Sequence, residues 1–273
     1  MMKPLSVGNV VSAGLRIYRD NFKKYYRLAF ISSLWGLVPV YGWAKFYAYQ
    51  ALIARLAYGE VTEKPESIQD ANRLIKGKMW SFLGAAILVG LRFMLAYVLG
   101  AIAIALIGGV LITMIISALS LVLGESGGAI GAILSIIIYI AIFVLFIAYL
   151  TRLFASFSAT ELLLATKENL NASESMKASQ EMTKSYLKNL ILIYLIASLV
   201  SFPIWGLIFT LQILPAFLQQ SNPFFASGIF TVLTFIFNAV TSALILPFWQ
   251  SVKAVIYYDL KVRREGMGLD LRK

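Results

Sequence analysis

The sequence predicts an all-α integral membrane protein: a polytopic bundle of about six transmembrane helices in three hairpins, each preceded by a surface amphipathic helix. Three observations predict it. The 273 residues are 60% hydrophobic and only 14% charged, with a mean hydropathy of +0.80, whereas soluble domains carry about 25% charged residues. Met79–Leu123 runs for 45 residues with a single charge, Arg92, and a helix crossing the hydrocarbon core needs only about 20 apolar residues. Finally, Lys and Arg cluster in some loops and are missing from others, the asymmetry that orients membrane proteins.

The N-terminal stretch 5–22 reads as an amphipathic helix with Val7, Val11, Leu15, Tyr18 and Phe22 on one stripe and Arg16, Arg19 and Asp20 off it. It lacks the continuous apolar segment of a cleavable signal and is expected to lie on the membrane surface. A basic aromatic knot, Phe22-Lys23-Lys24-Tyr25-Tyr26-Arg27, follows. Leu28–Ala54 is apolar, interrupted by Val38-Pro39-Val40-Tyr41-Gly42 and Lys45. A single crossing would strand six Lys/Arg on each side of the membrane, in 3–27 and in 45–78. A hairpin turning near Pro39–Gly42 removes that conflict. Its arms of about 17 residues are at the lower limit for a span, so a re-entrant loop is the competing arrangement.

Ser67 with Asp70 resembles a capping box opening a helix with Ile68, Ala71 and Ile75 on one face. The knot Lys76-Gly77-Lys78-Met79-Trp80 leads into the long apolar run. Two full spans there would put Arg152 outside, so one long, tilted or broken helix is expected, with Gly108-Gly109 as the break. Gly124-Glu125-Ser126-Gly127-Gly128 is a turn. The return through Ala129–Tyr149 reaches Arg152 and continues towards Lys167. Asn171 with Glu174 is a second N-cap pair. Lys184-Ser185-Tyr186-Leu187-Lys188 is the third knot. Asn189–Leu218 crosses outward with Pro203 and Pro215 as kinks, and 219–223 is a turn. Phe224–Leu246 returns, Pro247 kinks it, and the helix is expected to end near Leu260. The tail 261–273 holds five Lys/Arg, which places both termini in the cytoplasm. The chain reads as one membrane domain of three pseudo-repeats, 1–60, 61–168 and 169–266.

A net charge of +11 is explained by these inner loops, and no basic soluble domain exists to bind nucleic acid. Cysteine and histidine are both absent, which removes disulfides, thiol nucleophiles, Cys/His zinc sites and histidine-based catalysis. No cofactor site is readable. Three residues form a candidate intramembrane polar site: Arg92, about 20 Å into its helix if the span starts at Lys78, and Glu161 and Asp259, which could pair with Arg92, Arg152 or Lys253. Gln212, Asn238 and Gln250 are intramembrane polar groups suited to interhelical hydrogen bonds. Ala101, Ala105 and Gly109, and separately Gly127 and Gly131, make small-xxx-small steps. Candidate contacts to anionic lipids are Lys23, Lys24, Arg27, Lys76, Lys78, Lys184, Lys188, Arg263 and Arg264.

The C-terminal Pro247-Phe248-Trp249, then Val255-Ile256-Tyr257-Tyr258-Asp259-Leu260-Lys261-Val262-Arg263-Arg264-Glu265-Gly266, ending Leu269-Asp270-Leu271, resembles the closing signature of the glycerophosphoryl diester phosphodiesterase membrane-domain family. Gly14-Leu15-Arg16-Ile17-Tyr18-Arg19-Asp20-Asn21-Phe22 is similar to its N-terminal pattern. Some members carry a soluble phosphodiesterase domain after the membrane part; residues 1–273 are expected to contain none, and they contain no histidine. The resemblance therefore implies a stand-alone membrane module in a bacterial inner membrane or an internal membrane derived from it. The expected function is non-catalytic: assembly or organisation through contacts with lipids, other membrane proteins or copies of itself. The alternative is a transporter or lipid-handling permease with a site near Arg92.

Overall fold

The computed structural model describes residues 5–218 and 228–270, and the side chains of all of these except 211–212, 214–218 and 265–270. The expected turn at 219–223 and the side chains of Gln212 and Pro215 therefore lie outside the described residues. Those described are mostly helical, with no strand among them. Eleven α-helices follow in order: α1 Val7–Asp20, α2 Phe22–Trp35, α3 Tyr41–Val61, α4 Ile68–Lys76, α5 Met79–Ala103, α6 Gly109–Leu123, α7 Glu125–Ser156, α8 Thr160–Thr166, α9 Ala172–Thr183, α10 Leu187–Leu218 and α11 Gly228–Asp270. Among the described residues, four stretches are long and apolar enough to cross a membrane: Met79–Leu123, Glu125–Thr166, Leu187–Thr210 and Gly228–Arg264. α2 has 14 residues, short of the about 20 a crossing requires. α3 is long enough but carries Lys45, Gln50 and Arg55 along its length.

The helix boundaries follow local chemistry. Ser6 accepts the Asn9 N–H and starts α1, and Ser67 accepts the Asp70 N–H and starts α4. At α9 the Asn171 side chain accepts from Glu174 N while the Glu174 carboxylate accepts from Asn171 N, a reciprocal capping box. Between α2 and α3 a Cβ on Gly42 would fall 2.1 Å from the Trp35 carbonyl oxygen, so only glycine fits that tight reversal. Lys45 of α3 is held there by rings from both helices, its ammonium 3.8 Å from the centroid of Trp35 at the end of α2 and 5.0 Å from that of Tyr41 at the start of α3.

The chain divides into two compact units, Met1–Ile87 with Ala155–Lys273, and Leu88–Phe154. In the larger unit the middle of α3 and residues 250–260 of α11 are deeply buried. Ala51, Leu52, Ile53, Ala54, Leu56 and Ala57 are all at most 1% exposed, as are Val252, Ala254, Val255 and Ile256. α1 and α2 pack on both, and the opening turns of α10 close the bundle against α1 and α11. Alanine dominates the α3 face, which lets the neighbouring backbones approach closely. Phe82 and Ala85, from the first turns of α5, belong to the same core.

α1 forms over the expected residues, but its buried stripe is displaced. Val10, Val11 and Gly14 are buried, while Leu15 and Phe22 are exposed. The stripe is set by α11: a Cβ on Gly14 would lie 2.8 Å from Val252 Cγ2 and 3.0 Å from Val252 Cα. Such close contact turns the glycine inward and Leu15 out. α11 also runs to Asp270 rather than ending near Leu260. The Asp259–Arg263 pair one turn apart, 2.8 Å, and good helix formers such as Lys261, Arg263 and Arg264 carry the helix on.

The smaller unit is a helical hairpin. α5 passes through a π-turn, Ile104–Gly108, into α6, so the expected break at Gly108-Gly109 is a widened turn in a continuous helix. Gly124 reverses the chain at φ +63°, a conformation that glycine adopts without strain. The arms stay in step over their whole length. The Phe93 and Phe154 rings lie 6.2 Å apart and those of Tyr97 and Phe146 6.0 Å apart. Nearer the turn, a Cβ on Gly131 would meet Ile116 Cα at 2.9 Å, and one on Gly127 the Leu119 carbonyl oxygen at 2.0 Å. The Gly127/Gly131 step thus closes the hairpin on itself, whereas Ala101 and Ala105 are exposed and nothing lies within 4 Å of a Cβ on Gly109.

The α1–α11 contact carries a titratable group. The Tyr18 hydroxyl donates to the Leu244 carbonyl at 2.8 Å, and burial, with Tyr26 nearby, pushes its phenol from 10.0 up to about 12. The folded value lies above the unfolded one, so this contribution is complete below pH 10 and is lost as pH rises from 10 towards 12. Thermal unfolding in detergent is expected to show a loss of stability across that window that Tyr18→Phe reduces. An unchanged pH slope in the variant would contradict the coupling.

Candidate functional site

The charged side chains of the larger unit are arranged in pairs across helices. Arg55 leaves the buried face of α3 and forks onto Glu66, Nε to Oε2 at 2.7 Å and Nη2 to Oε1 at 2.9 Å, the bidentate geometry that favours arginine over lysine. Its third nitrogen, Nη1, donates to the Ala165 carbonyl. Lys78 reaches the same place from the start of α5, its Nζ donating to Lys167 O at 2.6 Å and Leu164 O at 3.3 Å. Two cations thereby satisfy carbonyls left open at the end of α8, where the helix dipole favours positive charge. Burial lowers the Lys78 ammonium below the usual lysine value, Glu168 opposes the shift and Arg55 adds to it.

Glu161 and Asp259 are placed in two separate pairs. Glu161, on α8, accepts from Lys253 on α11 at 2.8 Å. Asp259 is 1% exposed and is the better satisfied of the two. It accepts the Leu5 N–H at 2.7 Å and Arg263 Nε at 2.8 Å. Arg263 then donates through Nη2 to Leu5 O and to the Tyr186 hydroxyl, each at 2.9 Å, with its guanidinium 4.1 Å from the Tyr186 ring centroid. One acid–base pair thus joins the entry to α1, the knot before α10 and α11. Arg92 belongs to the smaller unit and is exposed on α5.

The nine candidate lipid-contact cations fall into two groups. Lys24, Lys78 and Arg263 are engaged within the protein, Lys24 with Glu60 at 3.3 Å and over the Tyr25 ring at 5.1 Å. Lys23, Arg27, Lys76, Lys184, Lys188 and Arg264 are exposed. Of the intramembrane polar groups, Gln250 is buried and donates to Gln50 on α3 at 3.0 Å, and Asn238 donates to the Thr234 carbonyl on its own helix at 2.8 Å. An apolar groove of about 400 Å3, lined by Gly36, Trp43, Phe46, Tyr47, Leu83, Ala86 and Ile87, opens between the α2–α3 turn and α5.

Two elements escape sequence reading. The Arg55–Glu66 fork and its grip on α8 join residues 110 apart in sequence; the one available signal is a lone arginine inside the apolar run Ala51–Ala57. The role of Tyr186 as a platform for Arg263 has no signature beyond its place in a basic knot. Chemically, the acids Glu60, Glu66, Glu161 and Asp259 are each matched to a cation, and among the described residues no three acidic side chains converge. The arrangement neutralises charge and ties helices together.

No family model, curated protein or solved structure matches the chain.

Removing one partner of a buried ion pair costs about 3–5 kcal/mol because the other charge is left uncompensated. Arg263→Ala is therefore expected to destabilise the protein by about 3 kcal/mol at neutral pH, allowing for the partial exposure of Arg263. Asp259→Asn added to it should recover part of that loss. Denaturant unfolding of the two variants checks both, and equal stability of Arg263→Ala and the parent would contradict the assignment.

Proposed function

We propose that this chain is a non-catalytic integral membrane protein that organises its neighbours, binding other membrane proteins or copies of itself through apolar flanks and anionic lipids through a basic end. The observation that carries this reading is the hairpin α5–α7. Both of its arms carry large apolar side chains that the protein itself leaves uncovered, among them Leu106, Met114, Leu121, Ile133 and Leu145 at 61–87% exposure. A soluble monomer rarely exposes contiguous apolar patches beyond a few hundred Å2. Lipid and protein partners are the surfaces that can cover this one. The exposed Lys23, Arg27, Lys76, Lys184, Lys188 and Arg264 supply the attraction to anionic lipid, at about 1 kcal/mol per residue near a surface.

The proposed topology has three helical hairpins, α2–α3, α5–α7 and α10–α11, with both termini in the cytoplasm and the Gly124 turn on the opposite side. We also infer membership of the glycerophosphoryl diester phosphodiesterase membrane-domain family. That inference rests on the sequence patterns Gly14–Phe22 and Pro247–Leu271 alone.

Tagged protein drawn from native membranes in mild detergent is expected to bring down a protein partner in near-stoichiometric amount, identified by proteomics, together with anionic lipid. Leucines at Ala101, Ala105 and Gly109 would add bulk to an exposed face of α5–α6 that the chain leaves open. They should reduce that partner at least about tenfold, equivalent to about 1.4 kcal/mol, without lowering yield. A lone chain enriched in one small solute would overturn the reading in favour of transport.

A further inference from the structure

We propose that Arg92 and Arg152 lie together at the phosphate layer of one leaflet and grip lipid phosphates there, so that Arg92 marks the base of the membrane crossing and not its middle. This rests on the membrane location proposed above, and is independent of any protein partner.

The register of the hairpin carries the inference. The Phe93 ring lies 6.2 Å from that of Phe154 and the Tyr97 ring 6.0 Å from that of Phe146. The arms keep the same register to Gly131 against Ile116 and Gly127 against Leu119. Arg92 and Arg152 therefore sit at one level on opposite arms, within about one helical turn. They are the only Lys/Arg between Lys78 and Lys167, and both are exposed.

Lengths then fix the depth. From Phe93 to Leu123 the outgoing arm has about 31 residues, about 46 Å at 1.5 Å per residue. From Glu125 to Thr151 the returning arm has about 27 residues, about 40 Å. A bilayer with its headgroup regions is about 40–45 Å thick. The hairpin beyond the two arginines matches that thickness, with Glu125 and Ser126 emerging at the far side. Counting from Met79 instead gives about 67 Å, which exceeds any single crossing at observed tilts. The surplus is accounted for within the protein: Met79–Ile87 belongs to the larger unit, where Phe82 is 3% and Ala85 6% exposed.

The neighbouring side chains agree. Tyr97 and Tyr149, 58% and 53% exposed, lie within about two turns of the arginines on the side towards the Gly124 turn. Tyrosine at that position is the interfacial belt expected of a crossing helix. Arginine with five donors in a planar fork is suited to phosphate oxygens.

The chain has no cysteine, so single probes are clean. Leu91→Cys, Thr151→Cys and Leu106→Cys, spin-labelled in phosphatidylcholine–phosphatidylglycerol vesicles, report depth from collisions with oxygen and a water-soluble nickel chelate. Positions 91 and 151 are expected at the same depth near the phosphates, and position 106 deep in the hydrocarbon. A deep position 91 with a deep position 106 would overturn this inference alone. A water-exposed position 106 would overturn the membrane location beneath it. Native mass spectrometry tests the ligand. Phosphatidylglycerol retention should fall about tenfold in Arg92→Gln/Arg152→Gln and far less in Arg92→Lys/Arg152→Lys, with excess inorganic phosphate displacing none. Unchanged retention in the glutamine variant, or displacement by inorganic phosphate, would overturn the lipid assignment.

Discussion

The larger unit depends on one close contact, the seating of α1 against α11 at Gly14 and Val252. With no side chain at position 14 the two backbones approach until α1 can bury Val10 and Val11. Tyr18 then reaches the Leu244 carbonyl, and the Leu5 backbone reaches Asp259 and Arg263. Each of these bonds joins chain ends separated by more than two hundred residues. The entropy of closing so long a loop grows only slowly with its length, and packing and hydrogen bonds at this seam together oppose it.

Buried charge follows the same logic. Arg55, Asp259 and Glu161 would each be costly alone in an apolar surrounding. Each is answered by a partner fixed on another element or by helix-end carbonyls: Glu66 and Ala165 for Arg55, Lys253 for Glu161, Arg263 and the Leu5 N–H for Asp259. Breaking such a pair leaves an uncompensated charge and is costly, although the intact pair itself adds little net stability. The smaller unit is built differently. Its arms are held by ring contacts and by glycines at the turn, which suits a hairpin whose surroundings are themselves apolar.

Helix positions were legible in the sequence where local chemistry decides them. The caps at Ser67 and Asn171, the turn at Gly124 and an irregularity next to Gly108-Gly109, a π-turn and not a break, follow from residue type and spacing. The all-helical class and the apolar stretch Met79–Leu123 follow from composition. What long-range packing decides was not legible. The stripe Val7–Val11–Leu15–Tyr18–Phe22 is a sound helical period, yet Leu15 faces outward because α11 selects Gly14, and Phe22 is exposed on the next helix, beyond Asn21. Glu161 could be matched to Lys253 in advance only as one of several choices, because charge pairing across helices has no sequence period. The end of α11 near Leu260 was expected from the change to a charged tail, but charge alone does not stop a helix when the residues favour it.

The proposed topology is tested most directly by the sidedness of the Gly124 turn. A single cysteine at Ser126 in the otherwise cysteine-free chain should react with a membrane-impermeant maleimide in intact cells, whereas one at Lys23 should react only after the membrane is broken. Labelling of Ser126→Cys only after lysis, or of both positions in intact cells, would contradict a hairpin that crosses the membrane from a cytoplasmic base.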